Sequence, residues 1–368
     1  VRHCEVLRSS LLVLMMRLLH PSADGSRNDE LGKKREMKAL LEHIIKGNKL
    51  TFEQAKEAQL KIGRGEVNSA MMASFITVFM HRGIEPQELD GFRAAMLELC
   101  IPVDLSDFDT IDMCGTGGDG KNTFNVSTIS SLVLAAAGVK VSKHGNYGVS
   151  SAVGSSNVIE SLGYKFTNNQ DQLKKELNMV GITFLHAPLF HPAMKHVSAI
   201  RKELGMKTYF NLLGPLVNPS RPKKQLTGVY SKEILPLYNY VLDRATDNYA
   251  IAFSLDVYDE ISLTNEFLVI TKAGEKTYSP EQLGFTRTKQ SDIDGGETVD
   301  QASLILKNII SGKGTKAQNE VIAANAGLAL SVAKNVSFED GIAEAKEIIA
   351  SGKANDVLKR LLTLNLEH

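Results

Sequence analysis

A chain of 368 residues, 43% hydrophobic and 23% charged, is long enough for one large domain or two ordinary ones and has the composition of a globular protein. Its 42 basic and 42 acidic residues cancel to a formal net charge of zero, which argues against a broad electrostatic grip on nucleic acid or anionic membrane. Three cysteines, Cys4, Cys100 and Cys114, show no paired spacing, so neither a disulfide framework nor a zinc site is expected, a reducing cytoplasm is the simplest compartment, and no run reaches the roughly 18 apolar residues of a membrane span.

Residues 1–36 differ in texture from the remainder of the chain. The apolar run SLLVLMMRLLH from Ser10 to His20, with Arg8 before it and Arg17 inside it, imitates a targeting peptide without a clear small-residue cleavage pattern. A polar stretch runs from Pro21 to Glu36, so residues 1–36 read as a leader or upstream extension and Met37 as the natural start. From Met37 the pattern is helical, with Leu40, Leu41, Ile44 and Ile45 at helix spacing. Thr51 with Gln54 forms a capping box, Asn68 or Ser69 caps a helix through Phe79, and Pro86 to Cys100 gives another. Residues 37–102 are therefore expected to form a small helical bundle, with later helices near 190–215 packing on it.

Beyond Pro102 the texture becomes strand, loop, helix, the signature of an α/β domain over 103–368. Phe108–Met113 predicts a strand, Asn125–Ala137 a helix, Val139–Val141 a strand and Ser155–Leu162 a helix. Strands are expected at Ala250–Leu255 and Glu266–Thr271, and helices at Pro192–Leu204, Lys232–Asp243 and Asn319–Ala333. Glu275 to Asp300 reads as polar loop.

Four features carry chemistry. The run CGTGGDGKNTFNVST, Cys114 to Thr128, places four glycines in six positions ahead of a helix, so backbone amides and the positive helix end can meet an anion. Asn125, Ser127 and Thr128 add donors at the helix start. The run is a phosphate cradle without the Walker or dinucleotide pattern. The bland alternative is a glycine turn with an ordinary N-cap. A second such run, SKHGNYGVSSAVGSS from Ser142 to Ser156, offers Lys143 as a point charge for phosphate and Asn146 for an amine or carboxylate; His144 by itself reads as a structural histidine. Two cradles at consecutive strand ends converge where α/β sheets bind ligands, which packing alone does not require. Asp259 and Glu260 in DVYDEIS are adjacent carboxylates that suit Mg²⁺, with a solvated turn as the alternative. Arg201, in HPAMKHVSAIRKELG, either complements its helix dipole or forks a substrate carboxylate. No serine triad, reactive-cysteine motif or metal-histidine pattern stands out, and no general base is assigned.

Together with HPAMKHVSAIRKELGMKTYFNLLGPLVNP and RPKKQLTGVY, these runs resemble the anthranilate phosphoribosyltransferase family over about Met37 to Leu364. The resemblance implies a nucleoside phosphorylase-like, class III phosphoribosyltransferase fold, with a small helical domain on a larger α/β domain that has a mostly parallel sheet. It implies a homodimer in which the small domain makes the contact. It also implies transfer of the phosphoribosyl group of phosphoribosyl pyrophosphate to the amine of anthranilate, giving N-(5-phosphoribosyl)anthranilate and pyrophosphate in tryptophan biosynthesis. Carried over by motif, Gly115, Gly118, Asp119, Thr123, Asn125, Val126, Ser127, Thr128, the residues Lys143, His144, Gly145, Asn146, Tyr147, Gly148, Val149, Ser150 and Ser151, and Ser155 would meet phosphoribosyl pyrophosphate. Gly115, Asn146 and Arg201 would meet anthranilate, and Ser127, Asp259 and Glu260 would hold Mg²⁺. One departure stands out: many members carry arginine after the Lys-His-Gly-Asn run, where this chain has Tyr147 and Gly148. A pyrimidine nucleoside phosphorylase of the same fold would put Lys-His-Ser in the first loop. A nucleic-acid-binding relative would need a basic surface. This chain has neither.

Overall fold

The computed structural model describes residues 35–148 and 153–366. The first helix, α1 (residues 35–45), already includes Arg35 and Glu36. Glu36 pairs with the otherwise buried Lys61, which ties the expected end of the leader to the helical layer. Three helices complete that layer: α2 (Phe52–Gly63), α3 (Ser69–Arg82) and α4 (Pro86–Leu99). Thr51 caps α2 through the expected box with Gln54, and Asn68 caps α3 by accepting from Met71 N. Phe75, Phe79 and Phe92 pack with Tyr209, which stacks on Phe92 at 4.5 Å. Inside this layer Glu88 is fully buried yet fully used: Arg82 forks it at 2.6 and 3.0 Å, and Leu50 N and Glu85 N donate to it.

The α/β part opens with β1 (Thr110–Met113), α5 (Val126–Ala136), β2 (Lys140–Gly145), α6 (Ser155–Ser161), α7 (Gln170–Met179), β3 (Ile182–His186) and a short α8 (Ala187–Phe190). The chain then crosses through α9 (Lys195–Leu204) and α10 (Phe210–Leu213) to β4 (Lys224–Gly228), α11 (Leu235–Ala245), β5 (Asn248–Ser254), β6 (Phe267–Thr271) and β7 (Gly274–Tyr278). It closes with α12 (Val299–Ile310), α13 (Lys316–Lys334), α14 (Phe338–Ser351) and α15 (Lys353–Leu366).

The strands form one sheet in the order β3-β2-β1-β4-β5-β6-β7, parallel from β3 to β5 and antiparallel beyond. The connections run outward from β1 in one direction and from β4 in the other, so the topological switch point lies between β1 and β4. Alternation along β5 assigns the two faces. Ala250 and Ala252 join the core under α5, α13 and α14, whereas Tyr249, Ile251 and Phe253 join the core shared with the helical layer, α9 and α11.

Three strands lie beyond the local pattern. β7 occupies part of the expected polar loop: it is an edge strand, largely exposed, and held by its ladder to β6 (Thr271↔Gly274 to Phe267↔Tyr278) more than by burial, so it has no apolar period to read. β4 carries buried Gln225 and Thr227, which its neighbours satisfy: Gln225 donates to Pro215 O at 2.6 Å and to Thr227 Oγ1 at 2.7 Å. β3 is a five-residue run buried throughout, too short for periodicity to distinguish from helix. Among the described residues no single helix is long and apolar enough to cross a membrane.

One polar node in this core positions the acidic turn. Asn325, inside α13 and buried, donates to Ile261 O at 2.8 Å and accepts from Ile261 N at 3.1 Å, fixing the backbone directly after Glu260. Asn325→Leu would leave both backbone groups unsatisfied, at about 1–3 kcal/mol each. The expected outcome is a clear fall in the thermal midpoint together with reduced turnover of the surviving folded protein, read by calorimetry and a steady-state assay; an unchanged midpoint would show that the node is dispensable.

Candidate active site

The carboxyl ends of β1, β2, β4 and β5 open into a cavity of about 730 Å³. Its walls are the first glycine loop, the second loop, the β5 turn and the inner face of α9. Gly115, Gly118, Asp119, Thr123, Asn125, Val126, Ser127, Thr128, Lys143, His144, Gly145, Asn146, Tyr147, Gly148, Ser155, Arg201, Asp259 and Glu260, all expected from the sequence, line this one cavity. Val149, Ser150 and Ser151 lie outside the described residues.

The first loop takes left-handed backbone at Gly117, Gly118 and Gly120, as its composition demands. Its amide at Gly117 donates to Asp259 Oδ2 at 2.5 Å. A side chain at Gly115 would strike that same carboxylate, and one at Gly228 would overlap the Asp259 carbonyl, so both glycines are fixed by close approach. Asp119 and Glu260 lie beside Asp259. Burial, then the charge of Asp119, raises the Asp259 pKa to about 7. Burial and the charge of Asp259 raise Glu260 well above the ordinary range, and burial raises Asp119. Three crowded, poorly hydrated carboxyl groups therefore face the loop whose composition suits an anion.

Lys143, expected to face phosphate as a point charge, lines the cavity and is hydrogen-bonded in this structure. It is buried, and its ammonium group donates to Met113 O at 2.5 Å and Ser127 Oγ at 3.1 Å, so it braces the two loops against each other from beneath. Asp112, also buried, lies near it and accepts from His144 N at 3.1 Å and Asn218 Nδ2 at 2.9 Å; burial raises its pKa to about 6.

His144 is structural on one edge only. Its Nδ1 lies 3.1 Å from Gly214 O, and a carbonyl can only accept, so Nδ1 carries the proton. Burial, with His191 nearby, lowers its pKa to about 3 and favours the neutral ring, and its buried Nε2 has no partner among the described residues. His191 packs edge-on against it at 5.3 Å and is likewise kept neutral by burial, at about 4. Sequence reasoning misses His191, which only its position ahead of Pro192 in the α9 run marks.

Asn146 fixes the second loop: its carbonyl accepts from Ser156 N at 3.1 Å and Ser155 Oγ at 3.3 Å, and its Oδ1 accepts from Tyr147 N at 2.8 Å. Tyr147, in the place of the usual arginine, brings no charge. Its hydroxyl donates to Glu160 at 3.3 Å, and its ring sits edge-on to His186 at 4.6 Å. Arg201 projects from α9 over the ring of Phe210 at 5.5 Å, and among the described residues no carboxylate pairs with it. Phe210 stacks on Tyr209, so the aromatic core of the helical layer supports the guanidinium. Cys114 is no nucleophile: burial pushes its thiol up to about 12.

The same architecture is found in known proteins. Residues 38–100 match the model of a glycosyl transferase family helical bundle domain, and residues 107–355 that of the glycosyl transferase family a/b domain. The anthranilate phosphoribosyltransferase of Flavobacterium psychrophilum is 52% identical over 330 residues, covering 90% of this chain and all of that protein (100%). Among solved structures, anthranilate phosphoribosyltransferase from Thermus thermophilus superposes with a TM-score of 0.84 at 33% identity, over 89% of this chain and 99% of that one. The Saccharomyces cerevisiae enzyme, in complex with PRPP (phosphoribosyl pyrophosphate) and Mg, superposes with a TM-score of 0.83 at 27% identity, over 90% of this chain and 98% of that one. With half of its residues shared along nearly the full length of a relative, and the same fold around the same loops, the chain belongs to the anthranilate phosphoribosyltransferase family, glycosyltransferases of tryptophan biosynthesis.

Proposed function

We propose that the cavity binds phosphoribosyl pyrophosphate across the two loops, with its pyrophosphate on the Gly115–Gly120 amides, and holds anthranilate between Asn146, His144 and Arg201. The observation that carries this reading is the meeting, in one cavity at the switch point, of two anion cradles, an acidic cluster and an unpaired guanidinium. Arg201 suits the carboxylate of anthranilate as a two-pronged donor. His144 Nε2, an acceptor on a neutral ring, suits the amine and holds it toward the ribose carbon. The C1–oxygen bond to pyrophosphate breaks as the nitrogen–C1 bond forms, and the proton that the amine loses leaves with the departing pyrophosphate, whose oxygens are the strongest bases the reaction supplies. The loop amides, fixed in place before substrate arrives, stabilise the charge gathering on the departing pyrophosphate.

The residues present fit Mg²⁺. Burial raises the pKa of Asp119, Asp259 and Glu260, and neighbouring carboxylate charge adds to the rise at Asp259 and Glu260, which a cation beside them would offset. Among the described residues no three His, Cys, Asp or Glu side chains could hold a metal by themselves; Mg²⁺ takes few carboxylates and completes its shell with substrate oxygens. Asp259, Glu260 and the Ser127 hydroxyl would hold it, and when bound it would supply positive charge to the pyrophosphate oxygens. The homodimer would form through the helical layer, where Ile45 on α1 is 62% exposed, and a reducing cytoplasm suits the free thiols of Cys100 and Cys114.

Anthranilate fluorescence is expected to decay only when protein, phosphoribosyl pyrophosphate and Mg²⁺ are all present, and the Asp259→Ala, Glu260→Ala double variant is expected to lose this turnover; decay without Mg²⁺ would remove the metal from the reaction. Arg201→Ala is expected to raise KM for anthranilate roughly 10- to 100-fold, the cost of one charge-assisted pair, with KM for phosphoribosyl pyrophosphate little changed. Equal loss for both substrates would count against the clamp.

The acidic cluster also sets a pH dependence. A carboxyl group whose pKa is higher in the folded chain stabilises the fold while protonated; for Asp259 that contribution is whole below the ordinary value of 3.8 and is lost as pH rises through about 7. Asp259→Asn, unable to ionise, is therefore expected to show a flatter thermal midpoint over that range and a higher one above it, in the absence of ligand. Parallel profiles for the two proteins would mean that Asp259 ionises at no cost.

A further inference from the structure

With Lys143 committed beneath the loops, the first glycine loop and its three carboxyl groups lack the cations that a pyrophosphate group requires. Two lysines flank this loop and have no carboxylate partner within ion-pair distance among the described residues. Lys121, at the end of the loop, lines the cavity and lies over the face of Tyr258 at 4.8 Å, the residue directly before Asp259. Lys207, from the segment after α9, reaches back across the cleft: its ammonium donates to Gly118 O and sits over the face of Tyr230 at 4.5 Å. Both rings are anchored. Tyr258 is 1% exposed and Tyr230 is half-buried. The loop is thus gripped from both sides by ammonium groups resting on aromatic faces and, for Lys207, on a single carbonyl.

We propose that Lys121 and Lys207 are two further ligands of the pyrophosphate end of the substrate, parked on Tyr258 and Tyr230 until that group lands on the loop. The inference rests on reading the Gly115–Gly120 loop as the pyrophosphate cradle. A ring face or one neutral carbonyl holds an ammonium group more weakly than a phosphate oxygen does, and both side chains are long and flexible, so a multiply charged anion at the loop draws them off.

The test is calorimetric binding of inorganic pyrophosphate with Mg²⁺ to the full chain and to Lys121→Met, Lys207→Met, Lys121→Arg and Lys207→Arg, with KM for each substrate measured alongside. Each methionine variant is expected to weaken pyrophosphate binding about tenfold, the value of one charge-assisted contact, and each arginine variant to restore most of it. Binding is expected to be less salt-sensitive in the methionine variants than in the parent, and their KM for phosphoribosyl pyrophosphate to rise more than that for anthranilate. Unchanged binding in both methionine variants would overturn the proposal, and a loss confined to one would remove the other lysine from it. Equal rises in both KM values with a lowered thermal midpoint would mark the lysines as structural props and overturn it as well. If the parent chain itself does not bind pyrophosphate, the reading of the loop fails, an outcome separate from failure of the lysines.

Discussion

The position of the Asp259 carboxylate governs the rest of the site. It sits at the switch point of the sheet, where the ends of neighbouring parallel strands lie about 4.8 Å apart and their loops diverge. One oxygen takes the Gly117 amide, so the β5 turn sets the shape of the β1 loop. The same close packing removes side chains at Gly115 and Gly228. A buried carboxylate accepting one short backbone bond is still poorly solvated, and Asp119 and Glu260 add to the negative potential. These groups are held close together because the surrounding fold is over-determined, and a divalent cation with a polyphosphate, in the function proposed, would offset their charge.

That over-determination comes from buried polar nodes as much as from the apolar core. Asn325 ties α13 to the backbone after Glu260. Asn218 joins Asp112 to Ser142 O, linking β1, β2 and the segment before β4. Lys143 binds the end of β1 to the start of α5. Each is satisfied by several partners, which makes it specific: removing one partner strands another buried group. On the other side of the sheet the support is aromatic. The stack from Phe92 through Tyr209 to Phe210 carries the order of the helical layer to Arg201, so the helical part of the chain shapes a site whose chemistry is otherwise built from the α/β part.

The legible parts of the fold are those with a local signal. Capping at Thr51 and Asn68 involves groups three residues apart, and the helices begin where those caps place them. The helix after the first loop and the strands at β1, β2, β5 and β6 also lie close to where periodicity puts them. β4 is hidden because its polar residues are buried and satisfied only by tertiary partners, and β7 because a ladder rather than an apolar face holds it. Arg35 and Glu36 look like the end of a leader because the ion pair that draws Glu36 to Lys61 spans 25 residues.

By itself the sequence determined the two glycine-rich cradles, the acidic pair and the arginine-bearing helix, because backbone freedom, formal charge and helix start signals belong to the residues that carry them. Tertiary structure decided what each charge is free to do. Lys143 is hydrogen-bonded beneath the loops, whereas Lys121 and Lys207 rest on aromatic rings beside the first loop, Lys207 also donating to Gly118 O. His144 holds the fold through one edge, because one carbonyl, 70 residues away, fixes its tautomer, and its buried Nε2 is left without a partner among the described residues. Tyr147, at the cavity wall, spends its hydroxyl on Glu160 and packs its ring against His186. Hydration, partner and orientation are set by neighbours distant in the chain, and these decide whether an ionisable group binds a ligand or holds the fold.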